Sequence, residues 1–376
     1  MKRILVWDIP TRLFHWLFAA SFAAAWLTSD SDQWLSVHVF FGYLMLGLVV
    51  FRLLWGVVGG HYARFAAFPL APRAGLAYLK QALAGHAARH LGHNPAGSQA
   101  VYLLLGLGLL LGISGVLAIG GEEGHGLAAG WLPIALGRQC KEAHEVLATL
   151  MLLVVLGHLA GVAVESRLHR ENLARAMVDG RKETDEAAVE SRPHRAVGVV
   201  LLLAIAGFAG WWFAYALPPA LADALGIASS GPRQAFVGRA LPDDPLWREE
   251  CGSCHLAFHP SLLPARSWQK MLAEQGRHFD NDLGLDAATS VSLLAFLTSN
   301  AAEHSRTEPA FKINRSLASG ATPLRITETP YWIKKHREIE AADWQSGKVN
   351  GKADCAACHL DAEGGTFEDA AMRIPR

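Results

Sequence analysis

Charged residues are scarce in this chain. Asp, Glu, Lys and Arg make up 18% of its 376 residues, and their formal charges sum to zero. Because nucleic-acid-binding proteins present a basic surface, this balance predicts no nucleic-acid partner. Hydrophobic residues make up 51% of the chain, a share too high for an ordinary soluble domain. We therefore predict a membrane protein that contacts lipid along part of its surface.

Cysteine is also rare, and the few cysteines are unevenly placed. Four of the five lie in two Cys-X-X-Cys-His frames, at 251–255 and 355–359, which leaves Cys140 over. A disulfide scaffold is therefore not expected. Two thiols at this spacing can bond to the two vinyl groups of one haem, while the adjacent histidine binds its iron. We predict two covalent c-type haems held by the following residues: Cys251, Cys254, His255, Cys355, Cys358 and His359.

Fingerprints for nicotinamide or flavin binding are absent, so a self-contained dehydrogenase is not expected.

Lys and Arg are concentrated before the first apolar run and in the second and fourth connections, which predicts a cytoplasmic N-terminus. Five crossings then leave the C-terminal segment in the periplasm, the side on which c-type haems are attached. Each apolar run is close to the about 20 residues that span a bilayer core. The runs cover residues 11–28, 36–57, 100–119, 143–164 and 196–217.

Four histidines lie in or beside these runs, where an ionisable side chain is expensive and therefore suggests a function. His144 and His158 are fourteen residues apart, so on one helix they share a face, about 21 Å apart along the axis. The predicted topology places His38 at the depth of His144, and His15 at the depth of His158. Each pair could supply two axial imidazoles to one non-covalent b-type haem. The alternative is a set of interfacial or hydrogen-bonded histidines.

Six short stretches of the first 183 residues match one family. They read WDIPTRLFHW at 7–16, FGY at 41–43, FRLLWG at 51–56, GHNPAG at 92–97, KEAHE at 141–145 and GHLAGV at 157–162. In these stretches the chain resembles the bacterial and nickel-hydrogenase b-type cytochromes. The resemblance implies the same pairing of His15 with His158 and of His38 with His144. It also implies an exchange of electrons with membrane quinone.

Three further residues on the predicted cytoplasmic side are candidates for cofactor binding. His93 and Asn94 lie just before the third apolar run, at a depth where a quinone headgroup could form hydrogen bonds with polar side chains. The resemblance marks that region only loosely. Arg52, near the inner end of the second run, could extend to the lipid headgroups or bind a haem propionate.

Several side chains could supply the sixth ligand of each c-type haem. His278 and His336 are preferred, because each lies in or at the end of a short amphipathic segment and beside aromatic residues. The full set of candidates is His259, His278, His304, His336, Met271 and Met372.

The C-terminal segment carries a second set of matching stretches. They read ECGSCH at 250–255, LLPARSW at 262–268, RHF at 277–279, RITET at 325–329, KHREI at 335–339 and DCAACH at 354–359. Here the chain resembles the small dihaem cytochromes c, in which both haems have two histidine ligands. The resemblance supports His278 and His336, and it leaves open which of them serves which haem.

The predicted fold is all-α. A membrane b-type cytochrome domain with a haem-binding bundle of four transmembrane helices is expected at 1–183. A cytoplasmic linker and a fifth transmembrane helix follow at 184–219, and a small, mainly helical, loop-rich dihaem cytochrome c domain at 220–376. The short helices of that last domain are expected at about 267–279, 286–301 and 329–340.

The predicted function is electron transfer across the bacterial inner membrane. Electrons would pass from the membrane quinone pool, through two b-type and two c-type haems, to a periplasmic c-type cytochrome or reductase. One alternative is the reverse flow, from a periplasmic hydrogenase-like enzyme. Another is a haem-based sensor of oxygen or nitric oxide. Gas binding needs an open sixth position on the iron, and the number of candidate ligands argues against it.

Overall fold

Helices form at all five apolar runs and in two of the connections between them. The computed structural model describes residues 2–30, 34–123, 126–129, 131–185, 187–215, 241–305, 307–337, 339–368 and 371–375. The helices of the N-terminal half are α1 (Ile9–Leu27), α2 (Leu35–Val58), α3 (Pro72–Leu83), α4 (Pro95–Glu122), α5 (Ile134–Leu168), α6 (Leu173–Asp179) and α7 (Arg195–Tyr215).

Four of these helices, α2, α4, α5 and α7, are long and apolar enough to cross a membrane. Helix α1 has 19 residues and is less apolar because it carries Arg12 and His15. It packs along α2. The predicted helices are therefore present, and the crossing of the bilayer by α1 stays a prediction.

The apolar core of the membrane unit is built from the facing sides of five helices. Large side chains at the centre, such as Leu48, Val49 and Met151, are almost fully enclosed. Trp212 and other aromatic residues of α7 complete this core. The other buried members are Phe14, Phe18, Phe22, Phe40, Leu44, Met45, Leu105, Leu107 and Leu111.

A small antiparallel sheet, which was not predicted, joins the N-terminus to the segment after α6. Strand β1 (Lys2–Leu5) pairs with β2 (Arg181–Thr184), so that Leu5 lies opposite Arg181. Gly180 connects α6 to β2 with a φ of 80°. Because the two paired strands are far apart in the chain, no local periodicity of the sequence predicts that they pair.

The C-terminal half forms short helices around its own core. They are α8 (Pro245–Gly252), α9 (Ala265–Ala273), α10 (Ala287–Ser299), α11 (Glu308–Ser316), α12 (Pro330–His336) and α13 (Ala341–Trp344). Helices α9, α10 and α12 lie where helices were expected, although α9 ends before His278. Helix α11 lies outside the stretches where helices were expected. Trp247, Trp268 and Leu293 are at the centre of this core.

Contacts between backbone segments divide the chain into two units. One contains Met1–Ala118 and Gln139–Pro218, and the other contains Ile119–Arg138 and Pro219–Arg376. The connection between α4 and α5 therefore belongs with the C-terminal half. The predicted boundary at 219 lies outside the described residues.

The turn at Gly180 should be sensitive to substitution. A Cβ at this position would lie 2.5 Å from the Trp7 carbonyl oxygen, and its backbone is left-handed. Gly85 has a similar φ of 79° with open space around it. We expect Gly85→Ala to lower the free energy of unfolding by about 1 kcal/mol and Gly180→Ala to lower it by more. Thermal unfolding followed by circular dichroism measures both, and equal losses would contradict the close approach.

Candidate functional site: four histidine pairs

Eight histidines come together in four pairs, and the distance between ring centres is nearly the same in each. It is 6.4 Å for His15 and His158, 6.1 Å for His38 and His144, 6.3 Å for His255 and His278, and 6.1 Å for His336 and His359.

This spacing fits two imidazoles on opposite sides of one metal ion. A bond from metal to imidazole nitrogen is about 2 Å long, and the ring centre lies about 1 Å further, so the two centres would be about 6 Å apart. Within the described parts of the chain, no group of three or more His, Cys, Asp or Glu side chains could hold a metal ion. The iron of a haem takes its other ligands from the porphyrin and needs only two from the protein.

Helices position the two pairs of the membrane unit. His15 lies on α1 and His38 on α2, while His144 and His158 both lie on α5, an uninterrupted helix of 35 residues. His38 Nδ1 is 2.8 Å from the carbonyl oxygen of Ala25. Such a bond selects the tautomer in which Nε2 is free to bind iron.

Residues of α4 surround the ring of His144. Its Nδ1 lies 3.1 Å from both the Leu111 carbonyl oxygen and the Ser114 hydroxyl. A Cβ at Gly115 would lie 3.1 Å from Cε1 of the same ring, so a larger residue would displace it. His15 differs, because its Nδ1 is buried and has no hydrogen-bond partner among the described residues.

The third pair joins the first Cys-X-X-Cys-His frame to His278. Nδ1 of His255 is 2.7 Å from the carbonyl oxygen of Leu256, which again leaves Nε2 available. His278 lies in the irregular segment after α9, with its ring 4.7 Å from that of Phe279. Burial lowers the pKa of His278, with the nearby His255 and Arg325 acting in the same direction.

The fourth pair joins the second frame to the last residue of α12. His336 Nδ1 is 2.9 Å from the Trp332 carbonyl oxygen, and the two rings stack with centres 4.1 Å apart. Burial lowers the pKa of His359 to about 4, with His336 as a further cause. Both rings are therefore neutral at physiological pH, which is the form that binds iron. A cavity of about 540 Å³ beside His336 is also lined by Trp332, Trp344 and Lys352.

The cysteines of the frames differ in exposure. Cys251 and Cys355 are half-buried, whereas Cys254 is exposed. Burial raises the pKa of the Cys251 thiol to about 11, with the Glu250 carboxylate as a further cause. Burial also raises the pKa of Cys355 to about 11. The thiols of Cys251 and Cys355 are therefore protonated at neutral pH.

The other four candidate sixth ligands have different surroundings, and the backbone of Met372 pairs with that of His359. His259 is buried, with Nδ1 2.8 Å from the Ser261 hydroxyl and Nε2 3.1 Å from the Pro242 carbonyl oxygen. His304 is exposed, and Met271 packs against the core around Trp268. Of the candidates considered, His278 and His336 have rings paired with the histidines of the two frames.

Arg52 is almost entirely enclosed by protein, with 2% of its surface exposed. The interpretation that it extends to the lipid headgroups is therefore wrong. Its Nη2 donates to the Ala63 carbonyl oxygen at 3.0 Å, and its guanidinium lies 4.9 Å from the centre of the Phe65 ring. Its Nη1 is buried without a partner among the described residues, so it could still bind an anion.

His93 and Asn94 are adjacent and differ in what they contact. The His93 ring lies 4.7 Å from Trp7 and 4.1 Å from Phe68. Burial lowers the pKa of His93 to about 3, with the positive charge of Arg52 as the next cause. The Oδ1 atom of Asn94 accepts a hydrogen bond from the Gly97 amide at 2.6 Å. Asn94 therefore caps the N-terminus of α4.

Two family models match the chain, one within each half. Residues 6–180 match prokaryotic cytochrome b561, and residues 247–367 match dihaem cytochrome c. The chain is a cytochrome b561 fused to a dihaem cytochrome c. It is therefore a membrane electron-transfer cytochrome that binds haem b and haem c.

Solved structures similar to the chain match its dihaem cytochrome c part. A diheme cytochrome c from Rhodobacter sphaeroides is 40% identical over 34% of this chain and 99% of its own, with a TM-score of 0.31. A crystal structure of DHC purified from Rhodobacter sphaeroides is 38% identical over the same shares, with a TM-score of 0.27. A diheme cytochrome c from Shewanella baltica is 31% identical over 36% of this chain and 94% of its own, with a TM-score of 0.29. No curated protein matches.

The capping contact of Asn94 predicts a stability effect. Asn94→Ala should lower the free energy of unfolding by about 1 kcal/mol, because the first turn of α4 loses a hydrogen-bond acceptor. Asn94→Ser keeps an oxygen that can cap the helix and should lose much less. Thermal unfolding in detergent compares the two variants. An equal loss in both would mean that Asn94 stabilises the protein in another way.

Proposed function

We propose that this cytochrome carries electrons between the membrane quinone pool and periplasmic electron carriers, through two b-type and two c-type haems. The observation that carries the proposal is the common spacing of the four histidine pairs, from 6.1 to 6.4 Å between ring centres. Each haem, when bound, supplies an iron that cycles between the ferrous and ferric states.

The protein holds each haem from two sides. His15 with His158, and His38 with His144, would each supply two imidazoles to the iron of one b-type haem. The Nη1 of Arg52 is buried without a partner among the described residues, so it could bind a propionate of a b-type haem. A guanidinium buried beside a carboxylate forms a strong, charge-assisted hydrogen bond.

The c-type haems have ligands from within their own halves of the domain. His255 pairs with His278, which follows it in the chain, and His359 pairs with His336, which precedes it. Cys251 and Cys254 would hold the first haem through thioether bonds, and Cys355 and Cys358 the second. Two histidines on every iron leave no open position for a gas, which disfavours a sensor.

The fusion itself favours direct transfer between the two parts. A chain that links b-type and c-type haems replaces a diffusive encounter by an intramolecular one. The basic residues at the N-terminus and in the second and fourth connections favour a cytoplasmic N-terminus in the inner membrane. With five crossings, the C-terminal domain would lie in the periplasm, where it could reduce a c-type cytochrome or reductase.

His93 is the best candidate for contact with a quinone headgroup. Burial and the positive charge of Arg52 lower the pKa of His93 to about 3, which keeps its ring neutral. A neutral imidazole can both donate a hydrogen bond and accept one. The rings of Trp7 and Phe68 form apolar walls beside it, as is common in ligand sites.

Haem content and ligation can be measured together. We expect two b-type haems that acidic acetone extracts and two c-type haems that stay with the polypeptide, because only the latter are held by thioether bonds. His278→Ala should keep both c-type haems attached and convert one from low-spin to high-spin, since its iron loses a strong axial ligand. His304→Ala, at an exposed histidine of the same domain, is the matched control.

Pyridine haemochrome spectra give the haem ratio, and electron paramagnetic resonance gives the spin states. A ratio far from one b-type to one c-type haem would contradict the four-haem proposal. A high-spin signal in His304→Ala, with none in His278→Ala, would contradict the assigned ligand.

The quinone contact predicts a kinetic effect. His93→Leu should slow the reduction of the b-type haems by quinol about tenfold or more, because the headgroup loses a hydrogen bond worth about 1–3 kcal/mol. His86→Leu, at an exposed histidine of the same connection, should have no such effect. Stopped-flow spectra at the b band measure both rates, and the spectrum after chemical reduction shows whether the haems are retained. An unchanged rate in His93→Leu would move the quinone site elsewhere.

A further inference from the structure

The two histidine pairs of the membrane unit differ in the hydrogen bonds of their Nδ1 atoms. His38 and His144 each have a backbone carbonyl oxygen within reach, that of Ala25 at 2.8 Å and that of Leu111 at 3.1 Å. His15 Nδ1 is buried with no partner among the described residues. The two haems that these pairs would hold are therefore chemically different.

Helix α4 forms a tight cradle around His144. The buried hydroxyl of Ser114 lies 3.1 Å from His144 Nδ1, and it also donates to the Leu111 carbonyl oxygen at 3.1 Å. Gly115 lets the ring lie close to the helix backbone. A carbonyl and a hydroxyl group therefore contact the ring of His144, and a glycine leaves space for it. All three groups lie within two turns of α4.

A hydrogen bond from Nδ1–H to an acceptor has a known effect on a metal. It places electron density on the imidazole, makes the ring a more basic ligand and so stabilises the higher charge of the metal. For a haem iron this favours the ferric state and lowers the midpoint potential.

We infer that the haem between His38 and His144 has the lower midpoint potential of the two b-type haems, and that Ser114 is a positioning residue that helps to set it. The inference rests on the ligand pairing proposed above and does not depend on the quinone site.

The order of potentials bears on the direction of electron flow. An electron shared by the two b-type haems would reside mainly on the one between His15 and His158. In the proposed orientation, transfer toward the c-type haems is then uphill within the bundle. A membrane potential that is negative inside drives electrons outward and offsets this step.

The test is a potentiometric titration of the full-length protein with chemical mediators, followed at the b band. Two one-electron waves are expected. His144→Ala should remove the lower wave, which assigns it. Ser114→Ala should shift the lower wave upward and leave the upper wave unchanged, whereas Ser114→Thr keeps the hydroxyl and should restore it. Ser21→Ala is the matched control, because Ser21 is a buried serine of α1 whose hydroxyl has no partner among the described residues.

Three results would overturn the inference. They are the loss of the upper wave in His144→Ala, a shift of the upper wave in Ser114→Ala, and no shift in Ser114→Ala beyond that of Ser21→Ala. If Ser114→Ala does not retain the haem, Ser114→Cys provides the same comparison, because sulfur keeps the shape and weakens the hydrogen bond. No quinol is present in this titration, so failure of the proposed quinone reaction would leave its outcome unaffected.

Discussion

The distance between paired imidazoles is the constraint on which the rest of the structure depends. A haem iron accepts two axial nitrogens at a fixed distance, so each pair of histidines must be held with ring centres about 6 Å apart. In the membrane unit this condition is met by long helices. Helix α5 carries His144 and His158 without interruption, so their separation is a property of one helix. Helices α1 and α2 then need only bring His15 and His38 to the matching depths.

Burying imidazoles in an apolar bundle makes an acceptor for each Nδ1–H favourable, and both rings of the pair of His38 and His144 have one. Ala25 lies in the last turn of α1, and its carbonyl oxygen accepts hydrogen bonds from the amide and hydroxyl of Thr28 as well as lying within reach of His38. Leu111 lies within α4, where its carbonyl has a second lone pair to offer. The end of one helix and the middle of another thus serve the same purpose. The orientation of these histidine rings therefore depends on how the helices pack.

The C-terminal domain holds its paired histidines at the same distance without long helices. Its core around Trp247 and Trp268 is small, and His278 lies in an irregular segment. Covalent attachment compensates for this, because thioether bonds hold a haem that such a core could not retain by packing alone. One ligand of each pair comes with the cysteines in the Cys-X-X-Cys-His frame. The fold needs only to place the second histidine of each pair, His278 or His336, opposite the first.

The sequence by itself determined the two classes of haem, the apolar helices and the preference for His278 and His336, because these depend on local chemistry. Frame spacing, hydrophobic length and helical periodicity act over a few turns of chain. Only the tertiary structure decided that His278 faces His255 and that His336 faces His359. It alone revealed the pairing of β1 with β2 and the enclosure of Arg52. It also showed the capping contact of Asn94 and the cradle of Ser114 around His144. The cradle and the strand pairing join residues far apart in the chain, and no local pattern records which distant groups meet when the chain packs.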